Sequence, residues 1–259
     1  MLGESEQLPM LVQSLWRYPV KSMQGEACEE LDVGTNGVAR DRSWGVLDLT
    51  TNTVISAKRD GRLLEASASL SDGAVSVRLP GAQELEPGDV LDENLTRWLG
   101  RPVKLVDAVS HGLPTFESQE DFQRDDSDVV QWEGTGLSFV DESPLHLLTT
   151  GDLEHLRAER PDLHWDIRRF RPNVVVDADY GALGPFESGR RIRIGDVEIE
   201  MWKGCTRCVM TTRPQPEGLD RELDILRHTI RFHDNTVGLR AWVVHAGTVR
   251  VGDEVHLVD

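Results

Sequence analysis

Apolar residues recur at every second position in short runs along this chain, and a period of two marks strands with one buried face. Val75, Val77 and Leu79 follow it, as do Val103 and Leu105, then Val197, Ile199 and Met201. Gly195-Asp196 interrupts the alternation between Arg191–Ile194 and Val197–Glu200, which predicts a hairpin. Helical patterning is scarcer. Asp92 precedes Leu95, Trp98 and Leu99 with Gly100 beyond, an N-capped, Gly-terminated helix. A second helix is expected from Thr150, with Leu153 and Leu156 inward and Pro161 past its end. A third covers roughly Asp220 to Phe232, where Leu223, Leu226 and Ile230 share a face. The predicted class is therefore mostly β (α+β) with a few packed helices.

A length of 259 residues fits one large or two modest domains. Between Phe116 and Gly136 the sequence turns to Glu117, Glu120, Asp121, Asp125, Asp126 and Asp128 with few apolar residues, a tract not expected to form a core element. It divides the chain into residues 1–116, an acidic connector 117–136, and residues 137–259. The 28 Lys and Arg against 45 Asp and Glu give a net charge of -17, which argues against a nucleic-acid partner. No run approaches the roughly 18 apolar residues of a membrane span, and the acidic start lacks the charge and apolar stretch of a secretory signal. A cytoplasmic location is the expectation.

Three cysteines, Cys28, Cys205 and Cys208, are too few to staple such a chain. Cys205-Thr206-Arg207-Cys208 is a C-x-x-C motif open to three readings. Zinc held by Cys205, Cys208, His228 and His233 has the right residue types but long spacing. A redox pair should open a helix, whereas Val209-Met210-Thr211-Thr212 carries β-branched residues that argue against a helix start. Two buried structural thiols are the third reading.

Further motifs accompany that pair in order: Tyr18-Pro19-Val20-Lys21-Ser22, Arg40-Asp41-Arg42-Ser43-Trp44, Ser143-Pro144-Leu145, Arg169-Phe170-Arg171-Pro172-Asn173, and Gly247-Thr248-Val249-Arg250-Val251-Gly252-Asp253. Together they resemble MOSC proteins with an N-terminal β-barrel domain, the family of the mitochondrial amidoxime-reducing components and their bacterial relatives. The resemblance implies an N-terminal barrel domain packed on a MOSC barrel, and a molybdenum cofactor with a single pyranopterin. By motif position Cys208 corresponds to the metal ligand, and hence the catalytic residue, and Cys205 does not. Lys21, Ser22 and Arg42 correspond to positions that grip the pterin phosphate. Arg171, Asn173, Ser143 and Thr206 correspond to positions facing the cofactor. Pyridoxal phosphate binding attaches to the resemblance only as a family-level term.

Two positions depart from the pattern: Arg240 stands where the family has tyrosine, and Glu142 where it has threonine. Both add charge beside the implied site and suggest a polar substrate. An iron–sulfur cluster needs four thiolates, and only two cysteines remain beside Cys208. Electrons are thus expected from a separate donor of ferredoxin, flavoprotein or cytochrome type, with Arg168, Arg169, Arg190, Arg191 and Arg193 as a docking patch. The implied activity is reduction of small N-hydroxylated substrates. A cofactor carrier or sulfur-handling protein, and a zinc-stabilised binding module, are the alternatives.

Overall fold

The computed structural model describes residues 9–121, 127–134, 138–184 and 188–258. Among them strands dominate. The predicted hairpin forms, with Arg191–Ile194 antiparallel to Val197–Thr206 and Ile194 opposite Val197. Gly195 sits at φ 52°, as the first position of a two-residue hairpin turn requires.

Seven strands close into a barrel. Round the ring they are Val174–Asp177, Leu145–Thr149, Thr236–His245, Val197–Thr206, Arg191–Ile194, Glu254–Val258 and Met10–Arg17, and the last pairs back on the first. Leu15, Leu145, Leu147, Ile192, Ile199 and Leu239 are buried in its core. Glu30–Gly34 pairs with Gly247–Arg250 beside it. Met10–Arg17 is a stave of this barrel, which is otherwise built from residues beyond 144. Without it, Val174–Asp177 and Glu254–Val258 would each lose a ladder partner and the barrel an edge-free surface.

The second body contains a sheet ordered Val103–Asp107, Trp44–Asp48, Thr53–Val54, Thr115–Gln119, Val129–Glu133, and a smaller one of Ser67–Ser71, Ala74–Arg78 and Glu84–Leu85. Val46, Leu63, Leu64, Val75, Val77, Leu91 and Leu95 form its core. The acidic tract holds strand structure that its composition did not announce. Thr115–Gln119 and Val129–Glu133 pair antiparallel within it, and buried Phe116 anchors the hairpin against Trp132 at 4.6 Å. Charge in the tract masked two strands that need one apolar anchor each. Asp125 and Asp126 lie outside the described residues.

The helices are Asp89–Leu99, Thr150–Glu159 and Leu223–Phe232, with a shorter one at Ala108–His111. Asp92 is inside the first rather than capping it. Its carboxylate accepts from the Leu105 amide at 2.8 Å, so it ties the helix to the neighbouring strand. Gly100 ends that helix at φ 67°, as expected. Thr149 and Asp152 form a capping box for the second. The third begins later than predicted and buries Ile225, Leu226, His228 and Thr229, leaving Leu223 and Ile230 half-buried. Ile225 joins Leu148, Trp165 and Phe170 in a separate cluster, which turns the helix by about a residue from the face the leucines suggested. No helix among the described residues is long and apolar enough to cross a membrane.

Closure by the first strand gives a test. A fragment of residues 137–259 should show no cooperative thermal transition by circular dichroism. In the full chain, Leu15→Ala should cost about 2–5 kcal/mol in urea unfolding, as for other fully buried leucines.

Candidate functional site

The barrel stave Met10–Arg17 runs directly into Tyr18, which holds three segments together. Its amide donates to Asp41 Oδ1 at 2.8 Å and its hydroxyl donates to the Pro172 carbonyl at 3.2 Å. The guanidinium carbons of Arg42 and Arg171 lie 4.5 and 4.1 Å from its ring centroid. The Arg42 amide donates to the Tyr18 carbonyl and the Lys21 amide to that of Trp44, which zips two of the segments together. Each segment carries a non-glycine residue at positive φ: Ser22 at 69°, Arg42 at 46° and Arg171 at 56°. Such backbone costs on the order of 1–3 kcal/mol per residue and collects where a fold aims side chains at a ligand.

Those side chains face a narrow chamber of about 120 Å³ between the two bodies. Lys21, Ser22, Arg42, Ser143, Arg171, Asn173, Thr206 and Cys208, the eight residues singled out from the sequence, all line it. Their commitments differ. Lys21 Nζ donates to the Phe139 carbonyl at 2.8 Å and to Asp141 Oδ1 at 2.5 Å. Ser22 Oγ accepts from the Ala57 amide, and Ser143 Oγ donates to the Leu145 carbonyl. The Asn173 amide is engaged at both ends: Oδ1 accepts from Arg42 and the His146 amide, and Nδ2 donates to the Trp16 carbonyl. It braces the wall. Arg171 is the opposite case, for both terminal nitrogens are buried without a hydrogen-bond partner. Buried donors left unpaired are rare in folded proteins and point to an acceptor supplied by a ligand.

Strand Val197–Thr206 delivers Cys205 and Thr206 to the same chamber, and Cys208 follows at the start of a single 3-10 turn, Val209–Thr212. The β-branched residues thus permit one turn where none was expected. Cys205 is buried and Cys208 half-buried. Arg207 donates to the Val237 and Phe170 carbonyls and to His146 Nε2 at 2.6 Å. The His146 ring must therefore be neutral, accepting at Nε2 and donating from Nδ1 to the Arg171 carbonyl at 3.2 Å. Burial, reinforced by Arg207, holds its pKa well below the ordinary value. Gly238 makes this packing possible, because a Cβ there would lie 2.5 Å from the Leu147 carbonyl oxygen and 2.8 Å from His146 Nε2.

Cations crowd the chamber: Lys21, Lys58, Arg42, Arg169, Arg171, Arg207 and Arg240. Asp141 accepts from Lys21 and from Lys58, the latter at 3.0 Å. Burial works to raise its pKa, but the two lysines overcome this and hold the carboxyl far below the usual range. Burial pulls Lys21 down to about 8, against the attraction of Asp141. Burial likewise lowers Arg171 to about 10, with Arg42 adding repulsion. An acidic chain has thus gathered a pocket of positive charge, the environment an anion requires.

A wider vestibule of about 530 Å³ adjoins the chamber and shares Lys58, Asp141, Thr206, Arg207, Cys208 and Arg240 with it. Cys208 lines both spaces and Cys205 only the inner one. Trp132, Trp202 and Trp242 build the outer wall, with Trp202 and Trp242 rings 5.5 Å apart. Arg240 pairs with Glu142 at 3.0 Å, and Lys203 pairs with the same carboxylate at 3.1 Å. The two unusual charges therefore pair with each other, at a mouth that combines charged side chains with aromatic rings. Lys58, Asp141, His146 and the tryptophans were not singled out from the sequence. Only Trp202 left a signal, since alternation with inward Met201 turns it outward.

Two sequence expectations are corrected. His228 and His233 both engage Glu159 Oε2, at 2.8 and 2.7 Å, and neither lines the cysteine chamber, so the Cys–His zinc set is not assembled. Arg169 is fully buried and braces the carbonyls of His164, Thr211, Arg213 and Asp220, while Arg168 pairs with Asp166 and Arg191 with Glu198. Arg169 is therefore unavailable to a surface docking patch.

A closed barrel joined through its first strand to a second β body, with a cysteine and a ring of cations at the junction, defines a two-domain MOSC protein. Residues 10–122 match the MOSC N-terminal beta barrel domain and residues 134–256 the MOSC domain, and the chain belongs to that family. It is 26% identical to mitochondrial amidoxime-reducing component 1 of Mus musculus, over 95% of this chain and 82% of that protein. It is 29% identical to mitochondrial amidoxime-reducing component 1 of Danio rerio, over 96% and 85%. Molybdenum cofactor sulfurase of Oryza sativa subsp. japonica is 25% identical over 80% of this chain and 29% of its own length.

Because Lys21 titrates near 8, its charge is present below that pH and lost above it. Inorganic pyrophosphate, followed by calorimetry, should bind more tightly at about pH 6.5 than at about pH 9.5, and Lys21→Arg should flatten the dependence, arginine remaining charged throughout.

Proposed function

We propose that this protein is a molybdenum-cofactor-dependent reductase of N-hydroxylated compounds that receives its electrons from a separate donor protein. The observation that carries the reading is the buried Arg171 guanidinium, unpartnered at both terminal nitrogens, in a chamber of cations with the half-buried Cys208 thiol at its outer side. This donor set suits a pterin with a terminal phosphate, since charge-assisted bonds to acceptor oxygens would satisfy the guanidinium. Lys21, Ser22 and Arg42 would hold the phosphate, Arg171 the acceptor atoms beside it, and the soft Cys208 thiolate the metal. Ser143, Asn173 and Thr206 would complete the wall. The names of the relatives support the reaction class.

When bound, the cofactor supplies two-electron, oxygen-atom-transfer chemistry that no side chain provides. The chain's own residues do the rest. The inner chamber is smaller than the roughly 300 Å³ of an ordinary ligand site, so a group held by its cations would also need the adjoining space that Cys208 lines. Trp132, Trp202 and Trp242 then offer flat apolar faces to a substrate in the vestibule. Reducing an N–OH group to N–H and water consumes two electrons and two protons. Lys58, paired with Asp141 at 3.0 Å, lines the vestibule and keeps exchangeable protons at its wall.

Turnover of an aromatic amidoxime by molybdenum-loaded protein with an artificial reductant tests the reading. Cys208→Ser should abolish it and Cys205→Ser retain it, with metal content measured in both. Loaded protein that reduces nothing yet passes its cofactor to an apo-molybdoenzyme would transfer the assignment to a carrier role. Trp202→Ala and Trp242→Ala should each raise KM for the aromatic amidoxime about 2- to 10-fold, the range of one lost ring contact, with smaller effect on an aliphatic one.

A further inference from the structure

Away from the chamber, three imidazoles converge on one carboxylate. Glu159, the last residue of helix Thr150–Glu159, lies one turn after His155, whose Nε2 is 3.2 Å from Glu159 Oε1. His228 and His233 approach from the other side, from the buried face and the C-terminal cap of helix Leu223–Phe232, and both place Nε2 within 2.8 Å of Glu159 Oε2. The rings contact one another, His233 lying 5.8 Å from His155 and 5.4 Å from His228 between centroids, and are held by further neighbours. His155 stacks on Tyr180 with centroids 3.9 Å apart and planes at 10°, and His228 sits between Trp165 and Phe232 at 5.8 and 4.8 Å. His233 is turned toward the carboxylate because the helix ends there, its amide still donating to the Thr229 carbonyl.

We propose that His155, Glu159 and His233 form a binding site for a zinc-class divalent cation, with His228 positioning the carboxylate. The donor atoms of the three proposed ligands lie within 4.8 Å of one another. A tetrahedral ion bound at 2.0–2.1 Å brings its donors to about 3.3 Å, so closure needs side-chain movement of up to about 1.5 Å. Two imidazoles with a carboxylate match borderline transition ions, whereas calcium and magnesium call for oxygen donors. Glu159 is exposed, which gives the ion a path in and leaves a fourth position for water. Coordination through Nε2 replaces the hydrogens that now point at Glu159 with the cation. The imidazole of His228, bonded to Oε2, orients the carboxylate as outer partners of metal ligands commonly do.

The consequence is a staple between two helices distant in sequence. Helix Leu223–Phe232 packs against the turn Val209–Thr212, which begins at Cys208, so the bound ion fixes the element behind that cysteine. The proposal stands independently of the assigned reaction, for neither cysteine nor any residue of the chamber takes part.

The test is calorimetric titration of zinc chloride into tag-free, chelator-stripped full-length protein, with magnesium and calcium chloride as controls. Zinc should bind one to one and saturably, and the controls should not bind. His155→Ala and His233→Ala should each weaken binding by more than the roughly 100-fold upper end seen for loss of an outer partner, and His228→Ala by about 10-fold. The Cys205→Ser/Cys208→Ser double variant should bind zinc unchanged. Glu159→Gln keeps an acceptor for the histidines and guards against misfolding; it should lose zinc while retaining the metal-free unfolding midpoint. In the unsubstituted protein, zinc should shift the imidazole ¹⁵N resonances of His155 and His233 and leave that of His146 in place. Absence of saturable binding, zinc retained in both histidine variants, or zinc lost in the cysteine double variant would overturn the proposal.

Discussion

One aromatic ring between two like charges organises this molecule. Tyr18 carries Arg42 and Arg171 against its ring, and bonds to Asp41 and to the Pro172 carbonyl fix it in place. Each cation–π contact contributes on the order of 0.5–2 kcal/mol, in the same range as the cost of one left-handed residue. Burial pushes the phenol up to about 12, so the ring remains neutral and does not add a charge of its own at physiological pH. Two guanidinium groups are packed side by side against it, with Asp41 paired to Arg42 and Asp141 in the same chamber. The strain at Ser22, Arg42 and Arg171 follows from this arrangement, because each segment must bend sharply to bring its side chain to the same chamber.

The placement of Tyr18 in turn rests on the barrel. Met10–Arg17 is locked between Val174–Asp177 and Glu254–Val258, and the chain leaves that strand in a fixed direction one residue before Tyr18. Arg171 and Asn173 lie just ahead of the strand that pairs with it, so both sides of the chamber are referred to one ladder of hydrogen bonds. Rigidity of this kind suits a site whose task is to hold a large anionic group and align a substrate against it. The vestibule has a different character. Arg240 pairs with Glu142 there, and three tryptophan rings line the same space.

Much of this was legible as local pattern. Alternation found the strands, the Gly195-Asp196 turn and the mostly β class, and the ordered motifs named eight residues that line one chamber. Errors arose where a residue's partner lay far along the chain. Asp92 reads as a helix cap but serves Leu105, and Arg169 reads as surface charge but is itself buried and braces four carbonyls. The acidic tract reads as a linker, although Phe116 and Trp132 anchor a hairpin within it.

By itself the sequence determined what depends on periodicity and residue type: strands, turns, an excess of acid and three cysteines where a cysteine-ligated iron–sulfur cluster needs four. Tertiary structure alone decided which charges meet. The -17 of the whole chain says nothing of a cationic chamber, because electrostatic environment is set by distance and burial rather than by composition. It also decided that Met10–Arg17 belongs to a barrel built largely from the other end of the chain, since an unpaired strand edge is satisfied by whichever segment can reach it in space. The histidines obey the same rule: His155 and His233 are 78 positions apart in sequence and meet at one carboxylate only because the fold brings the ends of two helices together.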